Sequence, residues 1–140
     1  MAELSGQCLC GKVKYTYSGA TGKITHCHCN LCRRWHGAAF RTKVSIDAAG
    51  FDWLEGEDLV GETASSAEVL KCFCQSCGAN LISRYPGDSS RYSLPIGGVV
   101  GDLDSYEAMH IFTNYKVPWV EIPAQVEQYP EGPTRDEHGR

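Results

Sequence analysis

The sequence predicts an all-β chain folded as one domain, and three observations carry that prediction. Polar and apolar residues alternate with period two in several short runs. Clusters of turn-forming residues, drawn from 15 glycines and 6 prolines, separate those runs. No stretch shows the periodicity of an amphipathic helix beyond about two turns. A length of 140 residues suits one domain with a real core.

Taken in order, "KVKYTY" sets Val13, Tyr15 and Tyr17 on one face and Lys12, Lys14 and Thr16 on the other. "NLCRRWHG" suits one short helical turn with Asn30 as its N-cap. Strands are expected over Ala38–Ser45, Glu68–Phe73, Ala79–Tyr85, Arg91–Gly98, His110–Tyr115 and Trp119–Ile122. The acidic, glycine-containing stretch Asp47–Ser66 reads as a loop with one strand near Phe51–Leu54. A single domain is expected over residues 1–128. A polar tail, an arm or a disordered end, is expected over residues 129–140.

Charge and hydropathy exclude several functions. A net charge of −4 argues against a broad nucleic-acid-binding face. No run approaches the ~20 apolar residues of a membrane span. Met1–Gln7 lacks the basic start and apolar core of a secretory signal, so a cytoplasmic protein is expected. In that compartment thiols stay reduced, and eight cysteines point to metal before disulfides. The sequence carries no signal for an oligomeric state.

The cysteines fall into three clusters: Cys8 and Cys10 in "CLCG"; Cys27, Cys29 and Cys32 in "HCHCNLC"; Cys72, Cys74 and Cys77 in "CFCQSCG". "CQSCG" has the spacing of a zinc knuckle. Side chains two apart in an extended chain point the same way, so Cys8 and Cys10 can act together. The simplest closed tetrahedral site joins Cys8 and Cys10 to Cys74 and Cys77. Cys72 is then spare, either a rival ligand or a small buried apolar residue. A redox dithiol in "CQSC" is disfavoured because Cys8 and Cys10 claim its thiols.

The middle cluster has three thiols and no fourth. Three protein ligands with one open position is the pattern of a catalytic zinc. The competing reading is a second structural zinc completed by His26, His36 or Cys72. His28 points the other way from Cys27 and Cys29 in an extended chain. Arg33 and Arg34, directly after Cys32, are the candidates for pairing a substrate carboxylate, or else they face solvent. Lys71 and Arg84 are weaker pocket candidates. His110 is a proton shuttle or a core histidine. Trp35 and Trp119 read as wall or core.

The stretches "GQCLCGKVKYTYSG", "HCHCNLCRRWHG", "SSAEVLKCFCQSCGANL", "GDLD", "HIF" and "KVPW" together resemble the glutathione-dependent formaldehyde-activating enzyme family, which shares its fold with centromere protein V. The resemblance spans Gly6 to Trp119. It implies a zinc-bearing coiled β-sandwich of the Mss-four-like kind and up to two zincs per chain. It places Cys8, Cys10, Cys74 and Cys77 at the structural zinc and Cys27, Cys29 and Cys32 at the catalytic one. It implies a carbon–sulfur lyase that joins a glutathione-like thiol to formaldehyde or a similar small aldehyde, giving a hemithioacetal. The chain departs from the family pattern at Glu107, where proline is usual, and at Thr63, where tyrosine is frequent. The alternative function is a zinc-stabilised binding module of the same fold without turnover.

Overall fold

The structure is a computed structural model and describes residues 1–132. It is an all-β single domain of two sheets. Strands β1 (Ala2–Gln7), β2 (Lys14–Gly19) and β5 (Phe51–Glu55) form a three-stranded sheet in the order β1-β2-β5. The other eight are β3 (Ile24–Cys27), β4 (Arg41–Asp47), β6 (Val60–Ser66), β7 (Val69–Cys74), β8 (Asn80–Arg84), β9 (Arg91–Pro95), β10 (Ala108–Ile111) and β11 (Glu127–Gln128). Their order is β11-β10-β3-β4-β9-β8-β7-β6. The one α-helix among the described residues, α1 (Asn30–His36), follows β3.

The main core lies between the two sheets. Ala2, Leu4, Tyr15, Tyr17 and Phe51 from the small sheet pack with Val44, Ile46, Ile82 and Leu94 from the large one. Tyr15 stacks on Phe51 at 5.3 Å between ring centroids, and Trp53 meets Phe51 edge-on at 4.8 Å. Each such buried side chain contributes roughly 1.5–3 kcal/mol through the apolar surface it removes from water.

Alternation along β4 decides what the opposite face of the large sheet carries. Val44 and Ile46 enter the core, so Arg41, Lys43 and Ser45 face the other way. Directly paired residues share a face. Cys27 pairs with Arg41, Thr25 with Lys43, Ser93 with both Ser45 and Ser83, and Lys71 with Ser83. Through the parallel β3–β10 pairing, Ile111 stands beside Cys27. All of these side chains except Ser45 are buried. The result is a covered face rich in cations and hydroxyls, with a cysteine at one end.

Several expectations change. β1 and β3 are strands that the hydropathy pattern does not single out, because each is short and half-polar. The strand expected near Phe51–Leu54 forms as β5, but Val60–Ser66, expected as loop, is β6. β6 escapes the pattern because it is the edge of the large sheet and is mostly exposed. The strand expected over His110–Tyr115 ends at Ile111, since Phe112 adopts a left-handed φ of 57° and Thr113–Tyr115 form a 3-10 turn. Trp119–Ile122 is irregular, with Trp119 exposed; Lys116 Nζ donates to the carbonyls of Val117 and Val120 and holds the turn. Of the expected polar tail, residues 133–140 lie outside the described residues. Its start is hydrogen-bonded to the end of β10: Tyr129 N donates to His110 O at 2.9 Å, and Phe112 N to Glu131 O at 3.1 Å.

Candidate metal centres

Two groups of sulfurs form, and they match the partition read from spacing. Cys8, Cys10, Cys74 and Cys77 have all four sulfurs within 4.8 Å of one another. Cys8 and Cys10 follow β1; Cys74 closes β7, and Cys77 sits in the turn before β8. Each pair turns back at a glycine with positive φ, Gly11 at 78° and Gly78 at 79°. Only glycine takes that conformation without strain. The Cys8–Cys10 sulfur separation is 3.5 Å and Cys10–Cys74 is 4.0 Å. Sulfurs on a tetrahedral zinc stand roughly 3.8 Å apart, whereas a disulfide needs about 2.05 Å. Backbone N–H groups turn toward these sulfurs: Val13 N donates to Cys8 Sγ at 3.3 Å, and the Ala79 N–H draws the Cys77 thiol down to about 6. Four sulfurs clustered around one point, with amide dipoles behind them, fit a closed metal site.

Cys72 belongs to neither group among the described residues. It is buried in the main core, and burial, then the Glu62 charge, pushes its thiol up to about 11. It behaves as a small apolar residue.

Cys27, Cys29 and Cys32 make the second group, again within 4.8 Å. Cys27 ends β3, and Cys32 lies in the first turn of α1. Cys29, rather than Asn30, is the N-cap; its Sγ accepts from Cys32 N at 3.4 Å. Met109 and Ile111 pack around Cys27 and Cys32. Hydrogen bonds from Cys27 and then Cys32 pull the Cys29 thiol down to about 2, and the same bond to Cys29 pushes Cys27 far above the ordinary thiol range. A bound metal ion would let three adjacent sulfurs ionise together, and the donor set fits one. No histidine joins this group among the described residues.

A cavity of about 180 Å³ opens on these three sulfurs. Arg41, Lys43 and Lys71 line it, each at most 5% exposed. Arg41 donates to Ser83 Oγ at 3.0 Å, while its Nε has no partner among the described residues. Burial, then the Arg41 charge, lowers Lys71 to about 8, and the three sulfurs oppose that shift. Phe112 also lines the cavity, its left-handed backbone held by the bond to Glu131 O. That conformation costs a bulky residue on the order of 1–3 kcal/mol.

The remaining candidates lie elsewhere. Arg33 and Arg34 line a separate cleft with Asn30, Val117 and Trp119. Arg33 donates to His28 O and Asn30 Oδ1, and Arg34 is exposed. The structure therefore does not place this pair in the three-cysteine cavity; a seven-residue helix turns both side chains away from it. His110 and His26 stand on the opposite face of the sheet from Cys27. His28 Nε2 and His110 Nδ1 share a hydrogen bond at 2.7 Å, and His26 Nδ1 bonds Thr42 Oγ1 at 2.8 Å. The core-histidine reading of His110 holds. Asn80 donates to His36 Nδ1 at 2.9 Å, and Arg84 pairs with Glu62. Trp35 meets Phe73 edge-on at 6.0 Å. Arg41 and Lys43 were not candidates by sequence. The signal was the alternation of Arg41, Lys43 and Ser45 in β4, which looks like a solvated face until its cover is known.

Known proteins extend this picture. The family model described as glutathione-dependent formaldehyde-activating enzyme matches residues 3–115. A Schizosaccharomyces pombe protein named as an uncharacterized lyase is 28% identical over 92 residues, which is 66% of this chain and 65% of that protein's length. A crystal structure of a Rhodobacter sphaeroides protein superposes with a TM-score of 0.58 at 15% identity, covering 89% of this chain and 98% of that one. At that identity the likeness is one of fold.

Proposed function

The chain belongs to the glutathione-dependent formaldehyde-activating enzyme family, and from that premise we propose that it is a zinc-dependent carbon–sulfur lyase. It joins a glutathione-like thiol to formaldehyde or a similar small carbonyl. The observation that carries this reading is the group of three sulfurs opening on a cavity lined by buried cations. Cys8, Cys10, Cys74 and Cys77 would hold a structural zinc, and Cys27, Cys29 and Cys32 a second one. A zinc ion held by those three thiolates would have a fourth position free and would favour the ionised form of an incoming thiol near neutral pH.

The chain's own residues do the rest. Met109 and Ile111 keep water from the sulfur corner on one side. The substrate sulfur's electron pair forms the bond to the carbonyl carbon. The carbonyl π pair moves to oxygen, which takes up the proton given up by the thiol. Arg41, Lys43 and Lys71 offset the negative charge held first on sulfur and then on that oxygen. No oxidant, reductant or covalent link to the protein is needed, and the reverse direction is the lyase reaction. A non-catalytic module has no use for three buried cations around an open sulfur corner. All eight cysteines are unbridged, which supports a reducing, cytoplasmic setting.

Exchange spectroscopy on a mixture of formaldehyde and glutathione near neutral pH tests the reading. Zinc-loaded protein should accelerate interconversion of free thiol and hemithioacetal, and Cys29→Ser should not. An exchange rate left at the uncatalysed value overturns it.

A further inference from the structure

We propose that the cleft beside α1 is a binding site for a mononucleotide, a ligand that joins a planar aromatic ring to a phosphate. The proposal goes beyond the lyase reading and does not depend on it.

Size and lining come first. The cleft encloses about 370 Å³, within the roughly 300–1,000 Å³ of sites that hold small ligands. Asn30, Arg33 and Arg34 of α1 line it together with Val117 and Trp119. Gly37 and Ala38 put no bulk into it; a Cβ built at Gly37 would stand in open space. No cysteine and no acidic residue is among the lining.

The donors call for an anion. The chain as a whole carries a net charge of −4, yet this cleft brings two guanidinium groups together. Neither takes part in an ion pair among the described residues. Arg33 is held in place: its Nε donates to His28 O at 3.3 Å, and one terminal nitrogen donates to Asn30 Oδ1. A guanidinium fixed in advance loses less freedom on meeting an anion. The other terminal nitrogen of Arg33, the whole fork of the exposed Arg34 and the Asn30 amide nitrogen are unspent among the described residues. A phosphate meets such a set with three oxygens and about two negative charges at neutral pH. A carboxylate brings only two oxygens and one charge.

Trp119 calls for a ring. It is 72% exposed, the most exposed aromatic side chain among the described residues. The turn that carries it is held, because Lys116 Nζ donates to the carbonyls of Val117 and Val120 on either side. An indole with an open face is a stacking platform for a nucleobase. A bare anion leaves that indole unused, and an uncharged ring leaves both guanidinium groups unused. A mononucleotide uses the whole cleft.

Titration calorimetry and tryptophan fluorescence on the zinc-loaded full chain, without added thiol, test the site. The probes are adenosine monophosphate, adenosine and inorganic phosphate. The nucleotide should bind at least about tenfold more tightly than either of the others. It should quench tryptophan emission and lose affinity as salt rises. Trp119→Ala and Arg34→Ala should each weaken nucleotide binding about tenfold, and Trp119→Phe should keep most of it. Both positions are exposed, so the dichroism of the variants should match wild type. Nucleotide binding no tighter than that of phosphate overturns the proposal, since it shows a charged patch without ring recognition. So does the absence of nucleotide binding at millimolar concentration, or full affinity in Trp119→Ala. None of these outcomes bears on the thiol chemistry, which the formaldehyde exchange tests on its own.

Discussion

The four-cysteine and three-cysteine corners use the same ligand atom and solve its charge in opposite ways. The first sits in two glycine-bounded turns, and its sulfurs are faced by neutral N–H groups such as those of Val13 and Ala79. The second sits where a strand meets a helix, backed by Met109 and Ile111, and faces three full cations across a cavity. Backbone dipoles suffice where four ligands close the coordination sphere. On the proposed reading, mobile substrate charge would be met there by fixed charge of the opposite sign. The difference teaches that the surroundings, as much as the ligand count, separate a structural site from a chemical one.

The largest expected effect lies at the closed corner. Cys8→Ser or Cys77→Ser should cost several kcal/mol or abolish folding, because structural zinc contributes on the order of 10–16 kcal/mol in small peptides. Cys29→Ser should leave a folded, inactive protein. Circular dichroism with a urea titration checks both. Equal damage from the two kinds of substitution would erase the distinction between the corners.

Metal removal gives the next contrast. Under zinc-replete conditions two zincs per chain are expected, and a mild chelator should take the three-cysteine zinc first, with the fold unchanged. Metal content measured beside dichroism checks this. One zinc lost together with the fold, and no earlier loss, breaks the comparison.

Cys72→Ala should cost about 1–2 kcal/mol as a core truncation and retain both metals. If it strips a zinc while Cys10→Ser does not, the partition of the sulfurs is wrong. On the chemical side, Arg34→Ala should leave thiol affinity within about threefold of wild type, since an exposed charge outside the cavity contributes little. A larger loss would return that arginine to the substrate's path.

Another expected effect is one of pH. Burial, then the charges of Arg41 and Lys71, holds His36 near 4, against an ordinary value of 6.5. Its Nδ1 accepts from Asn80, and its Nε2 is buried without a partner among the described residues. As pH falls below about 6.5 the unfolded chain takes up a proton that the folded chain refuses until about 4. The stability His36 contributes is thus complete above that window and lost on descending through it. Urea midpoints at about pH 7 and about pH 5 should differ less for His36→Asn than for wild type.

The sequence by itself determined the fold class and the grouping of the cysteines. Period-two alternation identifies a strand where one face is buried, as in β2. Cysteine spacing carries local geometry, since two thiols two or three residues apart can meet one metal whatever the rest of the chain does. It left open whether the three-thiol corner had a fourth ligand, because that depends on which distant side chains arrive there. Tertiary structure alone decided that His26 and His110 lie behind the sheet and Cys72 in the core. It also decided which cations face the sulfurs. Arg33 and Arg34 are neighbours of Cys32 in the chain, but helical twist carries them away. Arg41, Lys43 and Lys71 arrive through strand register, where Cys27 pairs with Arg41 and Lys71 with Ser83. Register between distant strands is a long-range property. A lysine on a covered face and a lysine on a solvated face have the same local pattern.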